Sequence, residues 1–155
     1  MDVTADLTAP CAPDRLFAEV DDLGAYPAWL GIVPRAEPVD AADGDPGPAW
    51  SVELRGRLGP LARSKRLRMV RTDLEPGQAV RFERRELDGR QHSPWVLEAR
   101  VHEVDGVAGA APTSRLEMHL HYGGSFGGSL LERMLDDEIN RSRPRLLARV
   151  SGAEV

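Results

Sequence analysis

Residues 115–122 read RLEMHLHY. Apolar and polar side chains alternate without a break. Leu116, Met118, Leu120 and Tyr122 share one parity, and Arg115, Glu117, His119 and His121 share the other. In an extended chain, successive side chains point to opposite faces. The stretch therefore predicts a strand with one face for a core and one face for water. Two imidazoles at i and i+2 could begin a metal site, with Glu98 or His102 as a third ligand. The apolar set must face the core, so both histidines are expected to point away from it, and no metal is expected.

Upstream, the same alternation recurs. SPWVLEARVHEV (93–104) puts Trp95, Leu97, Ala99 and Val101 on one face. A hairpin loop near Gly106–Pro112 would set Glu98, Arg100 and His102 beside His121, His119 and Glu117, a mixed-charge ladder on a solvated face. AWSVELRGRL (49–58) aligns Trp50, Val52 and Leu54, SKRLRMVRT (64–72) aligns Leu67 and Met69, and AVRFERRE (79–86) aligns Val80 and Phe82. EPGQ (75–78) has Pro at its second position and Gly at its third, the type II turn signature. DVTADLT near the start is a further short strand. Short alternating runs joined by turns predict an antiparallel meander buried on one face.

Helical signals sit at the two ends. In APCAPDRLFAEV, Pro13 suits a first helical position, and Leu16, Phe17 and Val20 form an apolar stripe. DDLGAYPAWLGIV is a second short helical piece, interrupted by Gly24 and Pro27. From Ser129 to Val150, Leu131, Met134, Leu135, Ile139, Leu146 and Val150 fall on one side of a helix. Pro144 lies inside it, so a kink or break is expected near Asn140–Arg143. The glycine-rich YGGSFGGS lacks a GK[ST] and is expected to be a connection rather than a phosphate loop. One sheet face and one helix stripe both need burial. The expected fold class is α+β: a curved antiparallel sheet of about seven strands around a long C-terminal helix, with two short helices after the first strand. The chain is expected to be one domain, 1–155.

Composition narrows the function classes. The formal net charge is −5, which argues against nucleic acid as a partner. No run approaches the roughly 20 apolar residues of a membrane span, and the acidic N-terminus does not resemble a signal peptide. The lone cysteine, Cys11, has no internal partner, so a cytoplasmic location is expected. From Ser51 to Gln91 there are eleven Lys/Arg against six Asp/Glu. Arg55, Arg57, Arg66 and Arg68 on the outer sheet face therefore offer a docking surface for an acidic partner, or a face of cross-strand ion pairs.

The order of elements, the Ala-Pro before the first helix, the segment LFAEVDDLGAYPAWL (16–30) and the closing helix SLLERMLDDEINRSRPRLLARV (129–150) resemble the START/Bet v-type helix-grip superfamily, often called SRPBCC. They are most similar to its polyketide cyclase/dehydrase and lipid-transport branch. The resemblance covers nearly the whole chain. It implies a cavity between sheet and last helix that holds a hydrophobic small molecule. It carries over no catalytic residue, because the superfamily shares no single catalytic motif, and it implies no cofactor.

The candidate cavity wall follows from the inward faces. It comprises Trp50, Leu54, Leu67, Met69, Phe82, Trp95, Leu97, Leu116, Met118, Leu120 and Tyr122 from the sheet, with Leu131, Met134, Leu135, Glu138 and Ser142 from the helix. Trp29 is a contact at the cavity mouth or a staple onto the core. Glu138 lies among leucines on the helical wheel, where a carboxylate is costly unless paired. It either pairs with Lys65, Arg71 or Arg84, reaches water, or anchors a ligand. The expected function is binding or transport of a lipid-, quinone- or polyketide-like molecule. The alternatives are a cyclase/aromatase-type enzyme using Glu138 or Tyr122 as acid/base, and an interaction module using the basic face. A homodimer is one candidate assembly.

Overall fold

The computed structural model describes residues 1–58, 61–104, 109–125 and 128–151. Seven strands make one antiparallel sheet: β1 (Asp2–Ala9), β2 (Arg35–Val39), β3 (Ala49–Leu58), β4 (Leu61–Glu75), β5 (Ala79–Arg84), β6 (Trp95–Glu103) and β7 (Ser114–Tyr122). Their spatial order is β1-β7-β6-β5-β4-β3-β2. The meander β2 to β7 is therefore sequential, and β1 closes its far edge by pairing with β7. Between β1 and β2 lie helix α1 (Pro13–Phe17) and a 3₁₀ helix (Leu23–Ala28), and the chain closes with helix α2 (Gly128–Val150). This is the helix-grip arrangement, as the alternation and the closing stripe predict.

Local chemistry explains the joints. Pro13 opens α1, where its missing N–H is no loss. At the turn after β4, Gly77 has φ +75°, the left-handed value that a type II turn demands at its third residue and that glycine adopts freely. β4 carries a bulge between Arg71 and Asp73, and a bulge bends a long strand and increases its twist. β2 is a strand that alternation does not announce. Pro38 within it cannot donate to a ladder, so it belongs at an edge, and β2 pairs on one side only, with β3.

Two expectations are corrected. The β6–β7 register pairs Glu98 with His119, Arg100 with Glu117 and His102 with Arg115. The expected pairing is two residues out. Such a slip keeps every side chain on its face, so face alternation cannot reveal it, and only the hairpin connection fixes it. Helix α2 is one continuous helix through Pro144, so the break, of the kink or break expected there, is not found. Leu131, Leu135, Ser142, Leu146 and Val150 are all buried on it, and that stripe holds the helix together across a residue that lacks one backbone donor.

The core joins both layers. Leu16, Phe17 and Val20 pack with Trp50, Phe82 and Leu116, and Leu135 and Leu146 reach them from α2. Phe82 is the centre of an aromatic cluster. Trp50 meets it edge-on at 5.5 Å, and Tyr26 does so at 6.4 Å. Arg149 on α2 donates from Nε to the buried Glu19 carboxylate at 3.0 Å, tying the helix end to the segment after α1.

Candidate ligand cavity

Alternation sends Leu97 of β6, and Met118 and Leu120 of β7, inward, yet all three remain only half-buried. A filled core would bury them. They keep accessible surface because they face a cavity of about 160 Å³ between the sheet and α2. A site of about 150 Å³ lined by aliphatic side chains is enough to hold benzene, whereas pockets for drug-sized ligands run from about 300 Å³. The space as it stands suits one or two fused rings.

The wall is built element by element. β1 contributes Val3, Ala5 and Leu7; β3 and β4 contribute Val52, Leu54, Leu67 and Met69. Trp95 and Leu97 come from β6, and Leu116, Met118 and Leu120 from β7. Helix α2 closes one side with Leu135, Ile139, Ser142 and Leu146. The 3₁₀ region closes another with Leu23, Tyr26, Trp29, Leu30, Ile32 and Val33. Of the sequence candidates, the structure brings Trp29, Leu54, Leu67, Met69, Trp95, Leu97, Leu116, Met118, Leu120, Leu135 and Ser142 to this one space.

Six candidates stand elsewhere. Trp50 and Phe82 belong to the aromatic core, and Leu131 is buried in the core cluster. Tyr122 is buried, with its ring against Trp95 at a centroid distance of 4.5 Å and its hydroxyl packed over Gly124, where any Cβ would overlap it. Met134 sits over Gly56, whose missing side chain lets the helix approach β3. Glu138 faces a separate, wider hollow of about 900 Å³ with Arg55, Arg133, Asp137 and Arg141. Its Oε1 accepts from Arg141 Nη1 at 3.0 Å, and its Oε2 is buried without a hydrogen-bond partner. Pairing with Lys65, Arg71 or Arg84 is not what the structure shows. The helical-wheel angle places Glu138 near the apolar stripe, but the Gly31 turn lies against its carboxylate and keeps it out of the cavity.

Sequence reasoning missed β1 as a wall. Val3, Ala5 and Leu7 alternate with Asp2, Thr4 and Asp6, so the signal was present. What was not legible is that the first strand pairs with the last. The same pairing supplies the partner of the histidines. Asp2 Oδ1 lies 2.8 Å from His119 Nε2 and 3.0 Å from His121 Nδ1, on the outer face. These hydrogen bonds, His121 foremost, hold the Asp2 carboxyl below its ordinary value. Among the described residues, no group of three or more His, Cys, Asp or Glu side chains is placed to hold a metal.

The basic outer face is partly committed within the fold. Arg68 is only 11% exposed and pairs with Asp45 at 2.7 Å, pinning the loop between β2 and β3 onto β4. Arg55 lies 3.2 Å from Ser64 Oγ and 3.7 Å from Glu53. The side chain of Arg57 lies outside the described residues. Among the described residues, no helix is long and apolar enough to cross a membrane.

Comparison with known proteins agrees with this architecture. The model of a family described as polyketide cyclase / dehydrase and lipid transport matches residues 1–150. Among solved structures, a Thermus thermophilus protein is 18% identical, with TM-score 0.70 and 97% of each chain covered. A START superfamily protein from Mycobacterium smegmatis is 10% identical, with TM-score 0.64 and 96% of each chain covered. The Zhui aromatase/cyclase from a Streptomyces species is 12% identical, with TM-score 0.61, over 97% of this chain and 93% of that one. At such identities the likeness is one of fold. No curated protein matches by sequence.

Proposed function

The chain belongs to the polyketide cyclase / dehydrase and lipid transport family, and from that premise we propose that it binds a hydrophobic small molecule in the cavity between sheet and α2, and carries it rather than transforming it. The observation that supports binding is the half-buried state of Leu97, Met118 and Leu120 on the inward face. Apolar surface left open inside a fold is stabilised when a guest removes it from water. The observation that supports carriage is the wall itself. Among the described residues, its only ionisable side chains besides the Tyr26 phenol are Asp6 and Arg143. Arg143 donates from Nε to the Asp6 carbonyl at 3.0 Å, and the Asp6 carboxylate pairs with Arg115. Burial pushes the Tyr26 hydroxyl far above its ordinary range, and it donates to Val20 O. Acid–base catalysis needs a group free to exchange a proton at the substrate.

A second reading, a cyclase-type enzyme, is favoured by one observation: the buried Oε2 of Glu138 in the outer hollow, beside Arg55, Arg133 and Arg141. That reading moves the chemistry out of the apolar cavity.

Native mass spectrometry of protein purified from its own host tests the proposal. The expected result is a population heavier by one small molecule, which organic solvent releases chemically unchanged. Bare protein that also fails to take up a small apolar compound in calorimetry overturns it. A released molecule that the protein converts, with conversion lost in Glu138→Gln, establishes the second reading instead.

A further inference from the structure

The stretch RGRLGPLARSKRLR (55–68) holds six Lys/Arg and no Asp/Glu, in a chain of net charge −5. The fold turns this run into an arm. β2 accompanies β3 only as far as Glu53, and β5 accompanies β4 only from Met69 onward. Residues 54–58 and 61–65 therefore pair only with each other, as a two-stranded ribbon that runs past its neighbours. Cross-strand partners share a face. Arg63 and Lys65 are on the face of Leu54 and Leu67, two residues of the cavity wall, and Arg55 and Arg66 are on the other. All four cations are exposed. Arg68, at the root, is already spent on Asp45.

The acids around the root are matched by other cations: Glu86 by Arg84, Asp88 by His92 and Glu138 by Arg141. Glu53 and Asp137 stand beside Arg55, outnumbered by the four cations. An independent observation is apolar. Among the described residues, the large hydrophobic side chains left exposed are Val39, Leu87 and Leu130, and two of these three flank the ribbon. Leu130, 43% exposed, borders the outer hollow with Arg55, Ala62 and Ser64. Leu87, 66% exposed, follows the stretch where Arg85 N donates to Arg68 O at 2.9 Å and the Glu86 carboxylate accepts from Arg68 N. A nucleic-acid backbone is held by charge and hydrogen bonds and makes no use of leucines. The surface of an anionic bilayer uses both, cations at the headgroups and apolar side chains at the acyl boundary.

We propose that the β3–β4 ribbon, with Leu87 and Leu130 beside it, docks on the surface of an anionic lipid bilayer. The acidic remainder of the chain is repelled by the same surface, so the ribbon approaches first. Docking sets the end of the sheet that carries Leu54 and Leu67 against the membrane. This surface is separate from the cavity, and the proposal goes beyond the carrier reading.

Co-sedimentation of the full chain with vesicles tests it. Vesicles of phosphatidylcholine mixed with phosphatidylglycerol should capture the protein at low salt, and vesicles of phosphatidylcholine alone should not. Salt at about 1 M, where the screening length is about 3 Å, should release it. Lys65→Gln combined with Arg66→Gln should weaken capture about twentyfold. Leu87→Ser combined with Leu130→Ser should weaken it at least about fivefold, whereas Val39→Ser, on the edge strand β2, should not. All these positions are exposed, so the variants keep the fold. No capture by the anionic vesicles overturns the proposal, as does undiminished capture of either double variant. Tighter binding to duplex DNA than to the vesicles in the same buffer also overturns it and assigns the ribbon to nucleic acid. Uptake of an apolar probe measured without vesicles should be equal in every variant, so this proposal and the cavity reading fail separately.

Discussion

Single residues connect the loops to the sheet. Asp45 accepts from Arg68 Nη2 and from Ala42 N, each at 2.7 Å. The hydrogen bond from Arg68, ahead of that from Ala42, holds the carboxyl below its ordinary 3.8. A folded value below the unfolded one means stability that is complete above about pH 4 and lost as pH falls through the folded value. Asp45→Asn should therefore lower stability at neutral pH, and its deficit against the parent should shrink as acid protonates Asp45. Urea unfolding at about pH 7 and about pH 3 checks this, and a deficit that does not change with pH contradicts it. The histidines belong to this scale too. Alternation puts His119 and His121 on the outer face by chemistry alone, whereas Asp2, the group they hold, becomes their neighbour only when β1 docks on β7.

At the scale of elements, α2 is the least self-sufficient piece. Its apolar stripe is interrupted by charge, and Pro144 removes a backbone donor from its interior. A proline inside a helix costs about 3 kcal/mol. Because α2 stays helical through this position, Pro144→Ala should stabilise the protein by about 1–3 kcal/mol, read as a higher urea midpoint with ligand binding unchanged. A lower midpoint contradicts the prediction and points to a bend that the packing needs. The edge strands show the opposite economy. β2 carries Arg35, Glu37 and Pro38, features that discourage pairing with another chain. That composition hides it from a search for alternating apolar residues, which is why five strands of the meander were legible and this one was not.

The whole molecule decides the cavity. Ala5 is small, lines the space and stands opposite Met118 across β1 and β7. Ala5→Phe places a ring where a ligand would lie. It should keep the fold at a cost of about 1–3 kcal/mol, and weaken binding of a small apolar probe by at least about tenfold. Unaltered affinity measured by calorimetry places the ligand elsewhere, with the Glu138 hollow as the next candidate. The same scale bears on the docking reading: the third dimension places Arg68 in a pair with Asp45, which a count of basic residues cannot show.

The chain's own alternation and helical stripe determined the sheet, the closing helix, the face of each strand and most of the apolar wall, because side-chain direction follows from backbone period alone. Tertiary structure decided what period cannot. Strand pairing chose which ends meet, bringing Asp2 to the histidines and Val3, Ala5 and Leu7 to the cavity. Loop length chose the β6–β7 register. The pose of the Gly31 turn on α2 placed Glu138 in the other hollow, and among the described residues the packing left the buried Trp95 indole nitrogen without a hydrogen-bond partner. Those outcomes depend on distances between residues far apart in the chain, and a linear pattern does not contain such distances.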